Sequence, residues 1–134
     1  MGLEEFKGSG RILVMDDEEP IRNLLKMILS ELGYKPSFAA NGEECLAQYA
    51  SALRRDEKYD LVLMDLTIAG GLGGKETIAE LLKLDPKAKA VVSSGYSLDP
   101  VMMDYKAFGF SGALGKPYLL NELAAELKRQ LPSK

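Results

Sequence analysis

Hydrophobic residues fall along this chain in two alternating rhythms: short unbroken runs, and longer stretches in which they recur every three or four positions. The first rhythm predicts buried strands and the second amphipathic helices. Arg11–Met15, with ILVM at its centre, is a buried strand, and the acidic Asp16–Glu19 follows. Pro20 suits the first turn of a helix, along which Ile21, Leu24, Leu25, Ile28, Leu29 and Leu32 form a core-facing stripe, with Gly33 as its stop. Tyr34–Ala40 predicts a weaker strand. Asn41-Gly42 marks a turn before a second helix, roughly Glu43–Arg55, with Leu46, Ala50 and Leu53 inward. Tyr59–Met64 is the most apolar strand and runs into Asp65. A loop rich in glycine (Gly70, Gly71, Gly73, Gly74) leads to a helix over Lys75–Leu84, stopped by Asp85-Pro86. Ala88–Ser94 predicts a fourth strand, Leu98–Phe108 a helix, and Ser111–Gly115 a fifth strand ended by Lys116-Pro117. Leu119, Leu120, Leu123, Leu127 and Leu131 line a last helix.

Strands alternating with helices imply right-handed crossovers and a parallel sheet covered on both faces. The expected fold is therefore α/β, a three-layer α/β/α sandwich around a five-stranded parallel sheet. Its expected order is 2-1-3-4-5, one of the common doubly wound orders. Residues 1–10 read as a leader, 11–131 as one domain and 132–134 as a tail. In an open sheet of this kind ligands bind beyond the carboxyl ends of the strands, where the strand order reverses. Asp16, Asp17, Asp65, Ser93, Ser94 and Lys116 all lie at such ends, though far apart in sequence.

Composition narrows the chemistry. At 134 residues, 46% hydrophobic and 28% charged, the chain suits one folded domain. A net charge of −3 provides no global footprint for nucleic acid. No apolar run is long enough to span a bilayer, and the lone Cys45 points to a reducing, cytoplasmic setting. Histidine is absent. That excludes histidine-ligated zinc, Ser-His-Asp triads and histidine general bases.

Three carboxylates at one edge repel, by about 4 kcal/mol for two unit charges ~4 Å apart at an effective dielectric near 20. A hard cation is the simplest compensation, and Mg²⁺ takes oxygen ligands. Asp17 and Asp65 are candidate direct ligands, Asp16 a neighbour or a ligand through water, and the Thr67 backbone carbonyl a further oxygen. A carboxylate beside such a cation can attack phosphorus and form an aspartyl phosphate. Lys116 offers a point charge for the transferring oxygens and Ser94 a hydroxyl. Singly, these residues read as helix caps, turn residues and a solvated lysine; their coincidence at matching strand ends outweighs that.

The segments ILVMDDEEPIR, DLVLMDLT, VVSSGYS and GALGKP, in this order, resemble the receiver domain of response regulators over roughly residues 10–131. The resemblance implies a flavodoxin-like fold, Asp65 as phosphoacceptor, and Asp16 and Asp17 as the acid pair holding Mg²⁺. It also implies a metal-binding carbonyl at Thr67, a hydroxyl at Ser94 and a lysine at Lys116 that both meet the phosphoryl group, and a cis peptide before Pro117. Many receivers carry an aromatic three residues before the lysine, where this chain has Ala113. TIAGGLGGK and SSGYS look most like receivers attached to hybrid histidine kinases. The implied partners are a histidine kinase or histidine phosphotransfer domain and a downstream effector protein. A DNA-binding output would need another chain or a longer parent.

Three other classes of protein carry similar residues. A nucleotide-binding loop fails, because Ala69 stands where the motif needs its first glycine and Glu76 where it needs Ser or Thr. An aspartyl-phosphate phosphatase of the haloacid dehalogenase type would need an acid at position 67, which is Thr. A degenerate receiver acting as a phosphorylation-independent scaffold would not need the full set of site residues. The expected protein is a switch, catalysing only its own phosphorylation and slow dephosphorylation.

Overall fold

The computed structural model describes residues 3–132. The ends of the expected leader and tail, residues 1–2 and 133–134, lie outside the described residues. Five strands, β1 (Arg11–Met15), β2 (Lys35–Ala39), β3 (Leu61–Asp65), β4 (Ala90–Ser94) and β5 (Gly112–Gly115), form one parallel sheet. Their order is β2-β1-β3-β4-β5, the expected one. The helices are α1 (Glu19–Glu31), α2 (Gly42–Arg54), α3 (Gly74–Leu84), α4 (Pro100–Met103) and α5 (Leu120–Gln130).

The period of two along each strand builds two cores. Ile12, Val14, Leu61, Leu63, Val91 and Leu114 meet α1 and α5 through Leu25, Leu29, Leu123 and Leu127. Leu13, Met15, Val62, Met64 and Val92 face the other way, toward Cys45 and Tyr49 of α2 and Ile78 and Leu81 of α3. A fully buried leucine contributes about 1.5–3 kcal/mol, so both layers are firmly held. The same period fixes the site. Asp16, Asp65 and Ser93 extend the rows of Val14, Leu63 and Val91, on the α1/α5 side of the carboxyl edge.

Several local expectations shift. The inward face of α2 is Cys45, Tyr49 and Ala52, while Leu46 and Leu53 are only half-buried against it. Leu24 is 41% exposed and Leu119 55%, so each marks the rim of its helix's apolar face rather than the core. Leu98–Phe108 is not one helix. Asp99 caps Val101, the single turn of α4 ends at Asp104, and a 3-10 turn over Tyr105–Phe108 follows. Gly109, at φ +104°, then reverses the chain into β5. The segment expected as a leader is partly built into the fold. Leu3–Phe6 form a 3-10 turn, Phe6 packs on the α1/α5 core, and the Gly8 N–H donates to the Leu32 carbonyl at 2.9 Å.

Candidate functional site

At the carboxyl edge Asp16 ends the run from β1, and Asp65 is the last residue of β3. Their neighbours Met15 and Met64 are direct partners in the ladder. One oxygen each of Asp16, Asp17 and Asp65 lies within 4.8 Å of the others. Asp16 is buried (1% exposed) and Asp65 nearly so (7%). Lys116, carried just beyond β5, lays its ammonium 2.6 Å from Asp16 Oδ2 and 3.2 Å from Asp65 Oδ2. Its own N–H donates to the Ser94 carbonyl at 2.9 Å, so the lysine's backbone is anchored to β4.

The first acid is held on every side. Asp16 Oδ1 accepts from the Glu18 N–H at 2.9 Å, and the Arg22 guanidinium donates to the Asp16 backbone carbonyl at 2.8 Å. Asp17 works differently: its carboxylate accepts from the Ala69 N–H at 3.1 Å and so ties the β3–α3 loop to the end of β1. Ser94 Oγ accepts from the Tyr96 N–H at 3.0 Å, a local turn that leaves the hydroxyl beside the cleft. The cleft, of about 490 Å³, is lined by Asp17, Asp65, Thr67, Ser94 and Lys116, with Glu18, Ala69, Gly95 and Tyr96 around them.

Glycines let the loop close over the edge. A Cβ on Gly73 would stand 2.5 Å from the Leu66 carbonyl oxygen, and one on Gly74 3.1 Å from that of Asp65. Glu43, in the first turn of α2, receives the Leu72 N–H at 3.0 Å and holds the loop's far limb.

Electrostatics follow from burial. Desolvation lifts the Asp65 carboxyl above its ordinary range, with Lys116 pulling it down and Asp16 pushing it up. Burial works against the Lys116 ammonium, but its bond to Asp16 and the charges around it outweigh that and raise it. Three carboxylates against one lysine leave a cleft short of positive charge. The donor set is all oxygen, which fits a hard divalent cation such as Mg²⁺.

All the residues expected to act together are brought to this edge: Asp16, Asp17, Asp65, Thr67, Ser94 and Lys116. Two neighbours have no signal in the sequence. Arg22 acts on a backbone carbonyl, which leaves no side-chain pattern to read. Tyr118 donates to Ser93 Oγ at 2.7 Å across a sequence gap that no periodicity bridges.

A doubly wound α/β domain with an acid cluster and a lysine at its topological switch point defines a class of small phosphoryl-binding proteins. The chain matches the response regulator receiver domain over residues 12–128, and it belongs to that family. It is 29% identical to the sporulation initiation phosphotransferase F of Bacillus subtilis over 124 residues, 92% of this chain and 95% of that one. It is also 29% identical to a stretch of the sensor kinase CckA of Brucella abortus, covering 95% of this chain but 13% of the kinase. Among solved structures it is similar to the response regulator TrrA of Thermotoga maritima in complex with Mg²⁺ and BeF, with a TM-score of 0.78 and 36% identity over 90% of this chain and 98% of that one. The resemblance to kinase-borne receivers thus has weaker support than membership of the family itself. Among the described residues no helix is long and apolar enough to cross a membrane.

Proposed function

We propose that Asp65 accepts a phosphoryl group from the phosphohistidine of a partner histidine kinase or histidine phosphotransfer domain, and that the aspartyl phosphate switches the domain between two states. The observation that carries this reading is the placement of Asp65 at an open cleft, between a lysine 3.2 Å away and two further carboxylates. Asp17, Asp65 and the Thr67 carbonyl would hold Mg²⁺, with Asp16 as a ligand through water. The cation, when bound, neutralises the carboxylates and the transferring oxygens.

In the transfer an Asp65 oxygen forms a bond to phosphorus as the phosphorus–nitrogen bond to the imidazole breaks. The departing nitrogen keeps that bond's electron pair, and because the ring's other nitrogen carries a proton in the reacting phosphoimidazolium, the imidazole leaves neutral. Lys116 faces the side where charge gathers, and the Ser94 hydroxyl, released from Tyr96, gives a hydrogen bond to a phosphoryl oxygen. The phosphoryl group then favours whichever arrangement of the β3–α3 and β4–α4 loops binds it better. Turnover of phosphate esters is not part of this reading, because Thr67 supplies no acid after Asp65. The partners that meet the switch are the donor and a downstream effector protein, in the cytoplasm.

Intact-mass spectrometry after incubation with Mg²⁺ and acetyl phosphate tests the reading. The expected result is one labile phosphoryl adduct, absent without Mg²⁺ and absent in Asp65→Asn. A folded wild-type protein that takes no adduct would favour the scaffold reading instead.

A further inference from the structure

Tyr118 stands two residues beyond Lys116 and takes no part in the acid cluster. Its ring packs against the α1/α5 core, and its hydroxyl donates to Ser93 Oγ at 2.7 Å. Ser93 is fully buried and pairs with Asp65 in the β3–β4 ladder. One hydrogen bond therefore joins the turn that follows the lysine to the strand beside the phosphoacceptor. Burial pushes the Tyr118 hydroxyl up to about 12, so it remains a protonated donor near neutral pH.

The lysine needs such an anchor. After its N–H reaches the Ser94 carbonyl, the chain leaves the sheet. Pro117 and Leu119 are exposed, and α5 opens at Leu120 with no side-chain cap. The ammonium sits at the end of a flexible four-carbon stem and must still hold 2.6 Å to Asp16 and 3.2 Å to Asp65. Ala113, three residues before it, has no ring to brace this turn. The Tyr118 ring does have a core to lean on, and its hydroxyl has a fixed acceptor.

We propose that Tyr118 is a positioning residue for Lys116: by bonding Ser93 it pins the β5–α5 turn to β4 and fixes the lysine between Asp16 and Asp65. This rests on the reading of Asp65 as phosphoacceptor. It adds that the turn's geometry, set from outside the acid cluster, limits how fast Asp65 is phosphorylated.

The test compares wild type, Tyr118→Phe, Ser93→Ala and the double variant, each with Mg²⁺ and acetyl phosphate and followed by intact mass. Misplacing a charged group by a fraction of an ångström slows the step, so each single variant should fall about tenfold at saturating donor. The half-saturating donor concentration should stay close to that of wild type. The double variant should be no slower than either single one, and Tyr118→Phe should add nothing to Lys116→Ala. Further slowing in the Lys116→Ala background would show a general structural role and overturn the proposal, as would an unchanged rate. A second readout is the side-chain ¹⁵N signal of the Lys116 ammonium, which should be sharp in wild type and broadened by rapid exchange in Tyr118→Phe. An unchanged signal would also overturn it. If wild type takes no phosphoryl group, the receiver reading fails separately, and the ammonium signal still decides whether Tyr118 positions the lysine. Should Tyr118→Phe not fold, Ser93→Ala carries both measurements, because it removes the acceptor and leaves the ring packed.

Discussion

Asp65 is under opposed influences, and their balance makes a prediction. Burial is the largest and raises its carboxyl, Lys116 lowers it, and Asp16 raises it again. A folded value above the unfolded one means the site favours folding below the ordinary carboxylate range and loses that contribution as pH rises through the raised value. Near neutral pH the metal-free protein therefore bears the full cost of an ionised Asp65. Asp65→Asn should remove it and raise the Tm, measured by thermal melts in a chelator. A lower Tm would mean that the attraction of Lys116 dominates. Asp16, Asp65, Ser94 and Lys116 were legible at this scale because they end or directly follow a strand, and strand ends can be located from pattern alone. Arg22 and Tyr118 were not, because their roles depend on a backbone carbonyl and on a serine brought near only by folding.

Helix ends and loop geometry decide what lies between the residues. Gly73 has an ordinary backbone conformation (φ −89°), so alanine meets no torsional obstacle there. The obstacle is the Leu66 carbonyl oxygen, 2.5 Å from where the Cβ would stand. Gly73→Ala should cost about 2 kcal/mol through overpacking and, by shifting Leu66 and Thr67, weaken Mg²⁺ binding; titrating Mg²⁺ against Tm measures both. The far end of α3 is closed by a different device. The Tyr49 hydroxyl donates to Asp85 Oδ2 at 2.7 Å, and Lys58 Nζ reaches the same oxygen at 3.0 Å. Burial opposes the Asp85 carboxylate, but these bonds and the Lys87 N–H outweigh it and hold its carboxyl below the usual range. The sign is opposite to that of Asp65: this stability is present above the unfolded carboxylate value and is lost as pH falls through the depressed one. Tyr49→Phe should cost about 1 kcal/mol at neutral pH, and Asp85→Asn should flatten the acid limb of a stability–pH curve. A limb as steep in the variant as in wild type would clear Asp85 of that role. Elements were legible where periodicity ran long, as in α1, α3 and α5. The single turn of α4 was not, because Asp99 and Pro100 start it late and the non-helical backbone of Asp104 ends it after one turn. The phase of α2 slipped because Tyr49 and Cys45 bury more completely than the leucines beside them.

For the whole molecule, right-handed crossovers that cover both faces of the sheet leave only a few doubly wound strand orders, and 2-1-3-4-5 is one of them. That order brings together a charge arrangement which would be unstable in any local segment, and it links cation binding to global stability. A ligand that binds only the folded state stabilises by mass action, about 2.7 kcal/mol at a hundredfold excess over its Kd. Saturating Mg²⁺ should therefore raise the Tm by roughly 10 °C. Asp17→Ala should remove most of that rise, because Asp17 is the least covered of the three acids. The same variant also frees the Ala69 N–H that Asp17 now receives at 3.1 Å, so its metal-free Tm must be the baseline. Screening is the competing explanation, since any salt weakens repulsion between partly exposed carboxylates. Sodium chloride at matched ionic strength separates the two. A bound cation gives a rise that saturates, depends on Asp17 and is not reproduced by sodium. An equal rise with sodium, unchanged in Asp17→Ala, would mean that the cluster is relieved by the ionic atmosphere alone and that its carboxylates do not form a metal site.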